Sequence, residues 1–191
     1  MAKPIADEGG TSPPDQGDSA TDRWAWLAGT YWYVPQDTML AMLMLNTREV
    51  RTRQVNDQTL WSIEQYDSGY VIGRCAVSLD GGDFSQMTLV GSVTPSGDVC
   101  LSFAPVPGLS VEPGDGVETA ALTIGHGRMV ERDGQWCFLM QMTGGTAAQS
   151  LTHWSYMAQA LPGTASWSDI PGVRGTSIEA VFAASCQTGP L

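Results

Sequence analysis

Trp26-Leu27-Ala28-Gly29-Thr30-Tyr31-Trp32-Tyr33 decides the fold of this chain, because it opens a run of short alternating stretches that continues unbroken from Trp24 to Gln159. Period-2 alternation places successive side chains on opposite faces of a strand. Working outward, it predicts strands over Thr30–Val34, Met39–Asn46, Arg48–Val55, Gln58–Tyr66, Tyr70–Leu79, Phe84–Val93, Val99–Ala104, Glu118–Glu131, Gln135–Thr143 and Leu151–Gln159. Asn56-Asp57, Asp67-Ser68-Gly69, Asp80-Gly81-Gly82, Ser96-Gly97-Asp98 and Asp133-Gly134 supply turn residues that tolerate positive φ. Connections this short mean antiparallel hairpins, since parallel strands need long crossovers. A meander of about eight to ten such strands closes most easily into an all-β barrel whose interior is a small-molecule pocket.

The chain of 191 residues has room for one proper core. Residues 1–20, rich in Pro, Gly, Ser and Asp, read as a disordered acidic tail, residues 21–160 as the barrel domain, and 161–191 as a C-terminal extension. Ser19 or Thr21 can cap a short helix over Asp22–Leu27. Ser177–Ser185 has helical composition, and Ile178, Val181 and Phe182 share an apolar face suited to the outside of a barrel. Between Pro105 and Gly116 lies the longest predicted loop, a lid or mouth segment.

A net charge of −11 and a pI near 4.3 argue against nucleic-acid binding, which needs a basic face. The Met1–Gly10 segment has no apolar signal region, and no stretch approaches the roughly 18 apolar residues of a membrane span, so a cytoplasmic location without membrane contact is expected. Cys75, Cys100, Cys137 and Cys186 form no Cys-x-x-Cys pair and sit at no zinc-like spacing from a histidine. Reduced, buried thiols are the reading for those within strands. No Gly-x-Ser-x-Gly elbow is present, and Gly125-x-Gly127 and Gly144-Gly145 read as strand or turn glycines, not phosphate loops.

Function is therefore sought among polar groups on strand faces. Alternation groups Thr59, Trp61, Ile63 and Gln65; Leu122, Ile124, His126, Arg128 and Val130; Trp136, Phe138, Met140 and Met142; and Thr152, Trp154, Tyr156 and Ala158, with His153 opposite Trp154. Alternation leaves open which face turns inward. His126, between two glycines, is a candidate acid or base. So is His153, with axial haem ligation as its alternative. Glu64 and Arg74, on adjacent hairpin strands, either orient a carboxylate ligand or form a surface pair. Trp61, Trp136 and Trp154 could shape a pocket for a flat molecule.

Leu27-Ala28-Gly29-Thr30-Tyr31-Trp32 resembles the first strand of lipocalin-like (calycin) barrels. Gly29-Thr30-Tyr31-Trp32, Val55-Asn56-Asp57-Gln58-Thr59, Gly73-Arg74 and Gly97-Asp98-Val99-Cys100-Leu101-Ser102-Phe103 are similar to phenolic acid decarboxylases. That resemblance implies a cofactor-free enzyme holding a phenolic acid between tyrosines, an arginine and a glutamate, with Tyr31, Tyr33, Arg74 and Glu64 as the counterparts here. Trp26-Leu27-Ala28-Gly29-Thr30, the Asp133-Gly134 hairpin, His153 and Met157-Ala158 resemble nitrobindin-like barrels, which implies haem bound through His153.

Together these readings predict a cofactor-free lyase, isomerase or cyclase acting on a small hydrophobic or aromatic molecule. In it His126 or Glu64 is the acid/base, Arg74 binds an anionic group, and Tyr31 and Tyr156 donate hydrogen bonds. Trp61, Trp136, Trp154 and His153 would line the substrate. The alternative is a non-catalytic small-molecule or haem carrier or sensor. A third reading is an interaction module using an acidic surface and an edge strand. A homodimer is compatible with all three.

Overall fold

The computed structural model describes residues 22–46, 49–106, 122–146, 148–173 and 175–184. The strands are β1 (Thr30–Tyr33), β2 (Leu40–Asn46), β3 (Val50–Asp67), β4 (Tyr70–Leu79), β5 (Ser85–Val93), β6 (Asp98–Pro105), β7 (Leu122–Arg132), β8 (Gln135–Gly145) and β9 (Gln149–Ala160). All pair antiparallel, and β1 and β2 each bridge β3 to β9 while β3 also pairs β4, so the sheet closes on itself. Tyr33 stands opposite Leu60 and Leu40 opposite Asn56, so β1 and β2 are two pieces of one barrel strand. The result is a closed eight-stranded barrel of lipocalin-like form. Closure leaves no free sheet edge among the described strands, which removes the edge-strand version of the interaction reading.

One predicted boundary moved. Asn56-Asp57 reads as a turn between two strands, yet β3 runs straight through it. The interruption lies instead in the partner strand, where Pro35 and the 3-10 turn Gln36–Thr38 leave the ladder. Asn56 and Asp57 stay extended because the ladder holds them on both sides: Asn56 pairs with Leu40, Asp57 with Leu79, and Asp57 N donates to Met39 O at 2.8 Å. The other predicted turns stand, with positive φ at Ser68, Gly69, Asp80, Gly81, Gly97, Asp133 and Gly134. The predicted 1–20 tail and most of the Pro105–Gly116 loop lie outside the described residues.

Alternation now acquires a direction. Trp61 and Ile63, Val71 and Cys75, Leu89, Leu101 and Phe103, Phe138 and Met140, and Met157 all turn into the barrel. Past Ile63 a bulge shifts the β3 register, and the next aromatic to reach the interior is Tyr66. The N-terminal 3-10 helix Asp22–Leu27 brings buried Trp24 and Leu27 to one end of that core. Trp24 Nε1 donates to Thr94 O at 2.9 Å, and its ring meets Trp136 edge-on with centroids 5.1 Å apart. On the outside, the C-terminal helix Ile178–Ala184 buries Ile178, Val181 and Phe182 against Leu60, Ala76, Ala160 and Ile170, as its apolar spacing predicts.

Candidate functional site

The strand interruption positions the polar groups of the interior. Val34–Met39 bulges out opposite Asp57–Thr59, and successive β3 side chains close the gap from both faces of the sheet. On the outer face the Gln58 carboxamide replaces the missing peptide partner. Its Oε1 accepts from Val34 N at 2.9 Å, and its Nε2 donates to Val34 O at 2.9 Å and to Pro171 O at 2.8 Å. On the inner face His153 reaches across from β9. Its Nε2–H donates to Thr38 O at 2.7 Å, and Nδ1 lies 3.0 Å from Asp57 Oδ2. Thr59 Oγ1 donates to the other carboxylate oxygen at 3.0 Å.

His153 is 1% exposed and Asp57 3% exposed, so this carboxylate–imidazole pair is held away from water. Burial works against a charged His153. The hydrogen bond and charge of Asp57, with the Thr38 carbonyl, outweigh it and raise the imidazole above its ordinary value near 6.5. Both ring nitrogens are thereby engaged. An axial bond to haem iron would have to displace Thr38 O or Asp57, so the imidazole as arranged does not fit that group.

This polar belt divides the interior. On the N-terminal-helix side the core is filled: Trp61 stacks on Phe103 at 5.7 Å and meets Phe138 at 5.3 Å, and Trp32 meets Phe138 at 4.6 Å. On the far side a separate apolar cluster of Ala41, Leu43 and Val55, with partly buried Leu45, Leu79 and Leu151, lines the barrel end. On the rim beyond it Arg53 Nη1 donates to Asp80 Oδ2 at 2.9 Å.

Burial, and then the Asp57 charge, push the Cys75 thiol well above its ordinary range, offset in part by the neighbouring Trp61 N–H. Cys75 is therefore a neutral thiol and a poor nucleophile. Cys137 is likewise buried, whereas Cys100, expected to be buried, is exposed on the outer face. Among the described residues no group of three or more His, Cys, Asp or Glu is placed to hold a metal, and no helix is long and apolar enough to cross a membrane.

The sequence-derived candidates scatter. His153, Trp61 and Trp136 are interior, with Trp136 packed on Trp24 at the N-terminal-helix end, not beside the polar belt. His126 is exposed, paired in register with outward Cys100 and Gln141. Trp154 is 57% exposed, and Tyr156 lies beside it on the outer face. Both belong to the face that looks apolar enough in sequence to be inward.

Tyr31, Glu64 and Arg74 do come together, but outside the barrel under the C-terminal segment. Arg74 pairs with Glu64, its Nη1 donates to Phe182 O at 2.9 Å, and Tyr31 packs on Trp167 and Phe182. Asp57, the residue that fixes His153, is missed in sequence because Asn56-Asp57 reads as a turn. Its spacing from Thr59, Trp61 and Ile63 on one face was the available clue. No protein-family model, curated protein or solved structure matches this chain.

Proposed function

We propose that this protein binds a small apolar or aromatic molecule in the barrel end beyond the Asp57–His153 belt, as a carrier or sensor of calycin type. The observation that carries this reading is the division of the interior into two apolar clusters by a buried carboxylate–imidazole pair. The belt caps the Thr38 carbonyl that the strand interruption leaves, and it also sets a polar layer between the two apolar clusters. In this reading Leu43, Val55 and Leu151, which form one apolar cluster beyond that layer, wall a cup that takes a mostly apolar guest and fixes it through a few polar contacts.

The test is a titration of the full chain with a panel of small aromatic and aliphatic molecules, followed by methyl NMR. A saturable ligand should shift the methyls of Leu43, Val55, Leu79 and Leu151, and Leu43→Trp, which fills the cup, should weaken it at least tenfold with the circular dichroism unchanged. A ligand indifferent to Leu43→Trp, or a panel that moves none of these methyls, would sink the reading.

A cofactor-free lyase, isomerase or cyclase is the second reading, and one observation favours it: a carboxylate–imidazole pair lies directly beneath the cup. His153 would be the acid, after releasing Thr38 O, with Asp57 holding its orientation. His153→Gln should then abolish turnover of a molecule that still binds. A decarboxylase-type relationship would require Arg74 and Glu64 to meet the substrate, and their placement under the C-terminal helix gives it no support.

A further inference from the structure

Between β1 and β2 the barrel wall is closed by residues 34–39 in place of a strand, where the 3-10 turn Gln36–Thr38 leaves the ladder. The two ends of this segment are fixed. Gln58 holds Val34 through both backbone groups, and Met39 O accepts from Asp57 N at 2.8 Å. The middle is held by little. Asp37 pairs with Arg132 at 3.2 Å on the exposed side, a contact open to water and worth little. On the inner side the described residues offer one bond, from His153 Nε2 to Thr38 O at 2.7 Å.

That bond depends on a proton count. Thr38 O is a carbonyl and only accepts, so Nε2 carries a hydrogen. Nδ1 and Asp57 Oδ2, 3.0 Å apart, need a second proton between them, on whichever of the two it resides. A neutral imidazole beside a carboxylate has only one. With that proton on Nδ1, the Nε2 lone pair faces Thr38 O; with it on Nε2, the Nδ1 lone pair faces the carboxylate. One contact must break. The carboxylate is the stronger acceptor and Thr59 Oγ1 already fixes it, so the contact to Thr38 yields.

We propose that Asp57 and His153 form a proton-operated latch on this wall segment. Holding two protons they keep it shut over the interior, and losing one to solvent they release Thr38 and let the turn swing out. The surroundings leave the operation to this pair. Met142 stands opposite His153 on β8, β2 turns Ala41 and Leu43 inward, β4 contributes the neutral Cys75 thiol and β9 Ser155. Asp37 and Arg132 turn outward to one another, and Arg53 and Asp80 lie at the rim. Behind the segment stand Asp57, Thr59, His153 and Ser155, each at most 3% exposed, so release opens a side entrance to the polar belt. The latch needs no guest, so it stands or falls apart from the binding reading.

The experiment is a nitrogen and proton NMR titration of the full chain from about pH 5.5 to about 9.5, the range in which a raised histidine loses its proton. The His153 ring nitrogens should report loss of the Nε2 proton. The amides of Gln36–Met39 should shift with the same midpoint while those of β5 and β6 stay. Asp57→Asn is the sharper case. Its amide donates to Nδ1 and leaves Nε2–H on Thr38 O with a neutral imidazole, so this variant should stay shut at every pH. A second readout is peroxide oxidation of buried Met39, mapped by peptide. It should rise several-fold in wild type across that range, stay low in Asp57→Asn, and leave buried Met157 unchanged. A ring that keeps both protons throughout, a ring that titrates while residues 36–39 stay still, Met39 oxidation that ignores pH, or Asp57→Asn opening at the wild-type midpoint would each overturn the proposal. The first three need no variant.

Discussion

At the scale of single residues, Asp57 and His153 tie β9 to β3 and to the interrupted strand, and their chemistry makes stability depend on pH. The folded-state value of His153 is raised, whereas in the unfolded chain it is about 6.5. A group whose folded value is raised contributes fully below the unfolded value, and the contribution is lost as pH rises through the folded one. The advantage of wild type over His153→Gln in chemical denaturation should therefore be level near pH 5 to 6 and shrink from about pH 6.5 upward. An advantage that grows with pH would mean that the imidazole is buried neutral. Asp57→Ala, which strands the imidazole, should lower stability by roughly 3–5 kcal/mol at pH 6. The two histidines also mark how far the sequence could be read. Alternation separates His153 from Trp154, but Thr152, Trp154 and Tyr156 make the outer face of β9 look as apolar as the inner one. Hydrophobicity does not choose between the faces, and the same ambiguity holds at His126, which lies on the outer face beside exposed Leu122 and Ile124.

At the scale of elements, the C-terminal helix is fastened by residues that looked catalytic. Arg74 contributes an ion pair with Glu64, both side chains partly exposed, and a hydrogen bond to Phe182 O, with its guanidinium 5.4 Å from the Phe182 ring. A partly exposed pair is worth at most about 1 kcal/mol and one such hydrogen bond about 1 kcal/mol, so Arg74→Met should cost roughly 1–2 kcal/mol. Amides of Ile178–Ala184 should exchange faster with deuterium while those of β8 and β9 keep their protection. If instead ligand binding fails and exchange at the helix is unchanged, Arg74 belongs to a binding site and not to a fastening. Both elements flanking the barrel were legible, because Asp22–Leu27 carries helix-start chemistry and Ile178, Val181 and Phe182 are spaced for one face. β3 was not. Asn56-Asp57 has the local chemistry of a turn, and its extended conformation is fixed by residues far along the chain: Met39, Leu79 and His153. Local propensity gives way to such tertiary pairing.

At the scale of the whole molecule, 20 acidic against 9 basic residues give a net charge of −11, and self-repulsion of that charge works against the compact state. Added salt shortens the Debye length from about 30 Å at 0.01 M to about 10 Å at 0.1 M and weakens repulsion between exposed charges. It also weakens exposed attractions such as Arg53 with Asp80 and Arg132 with Asp37, but pairs of this kind are worth at most about 1 kcal/mol each. Raising NaCl from about 20 to 300 mM should accordingly raise the urea midpoint of the full chain. The buried Asp57–His153 pair is screened far less, so the gap between wild type and His153→Gln should stay the same at both salt concentrations. A midpoint that falls with salt would mean that the exposed ion pairs outweigh the repulsion, and a gap that closes with salt would mean that the Asp57–His153 pair is open to solvent.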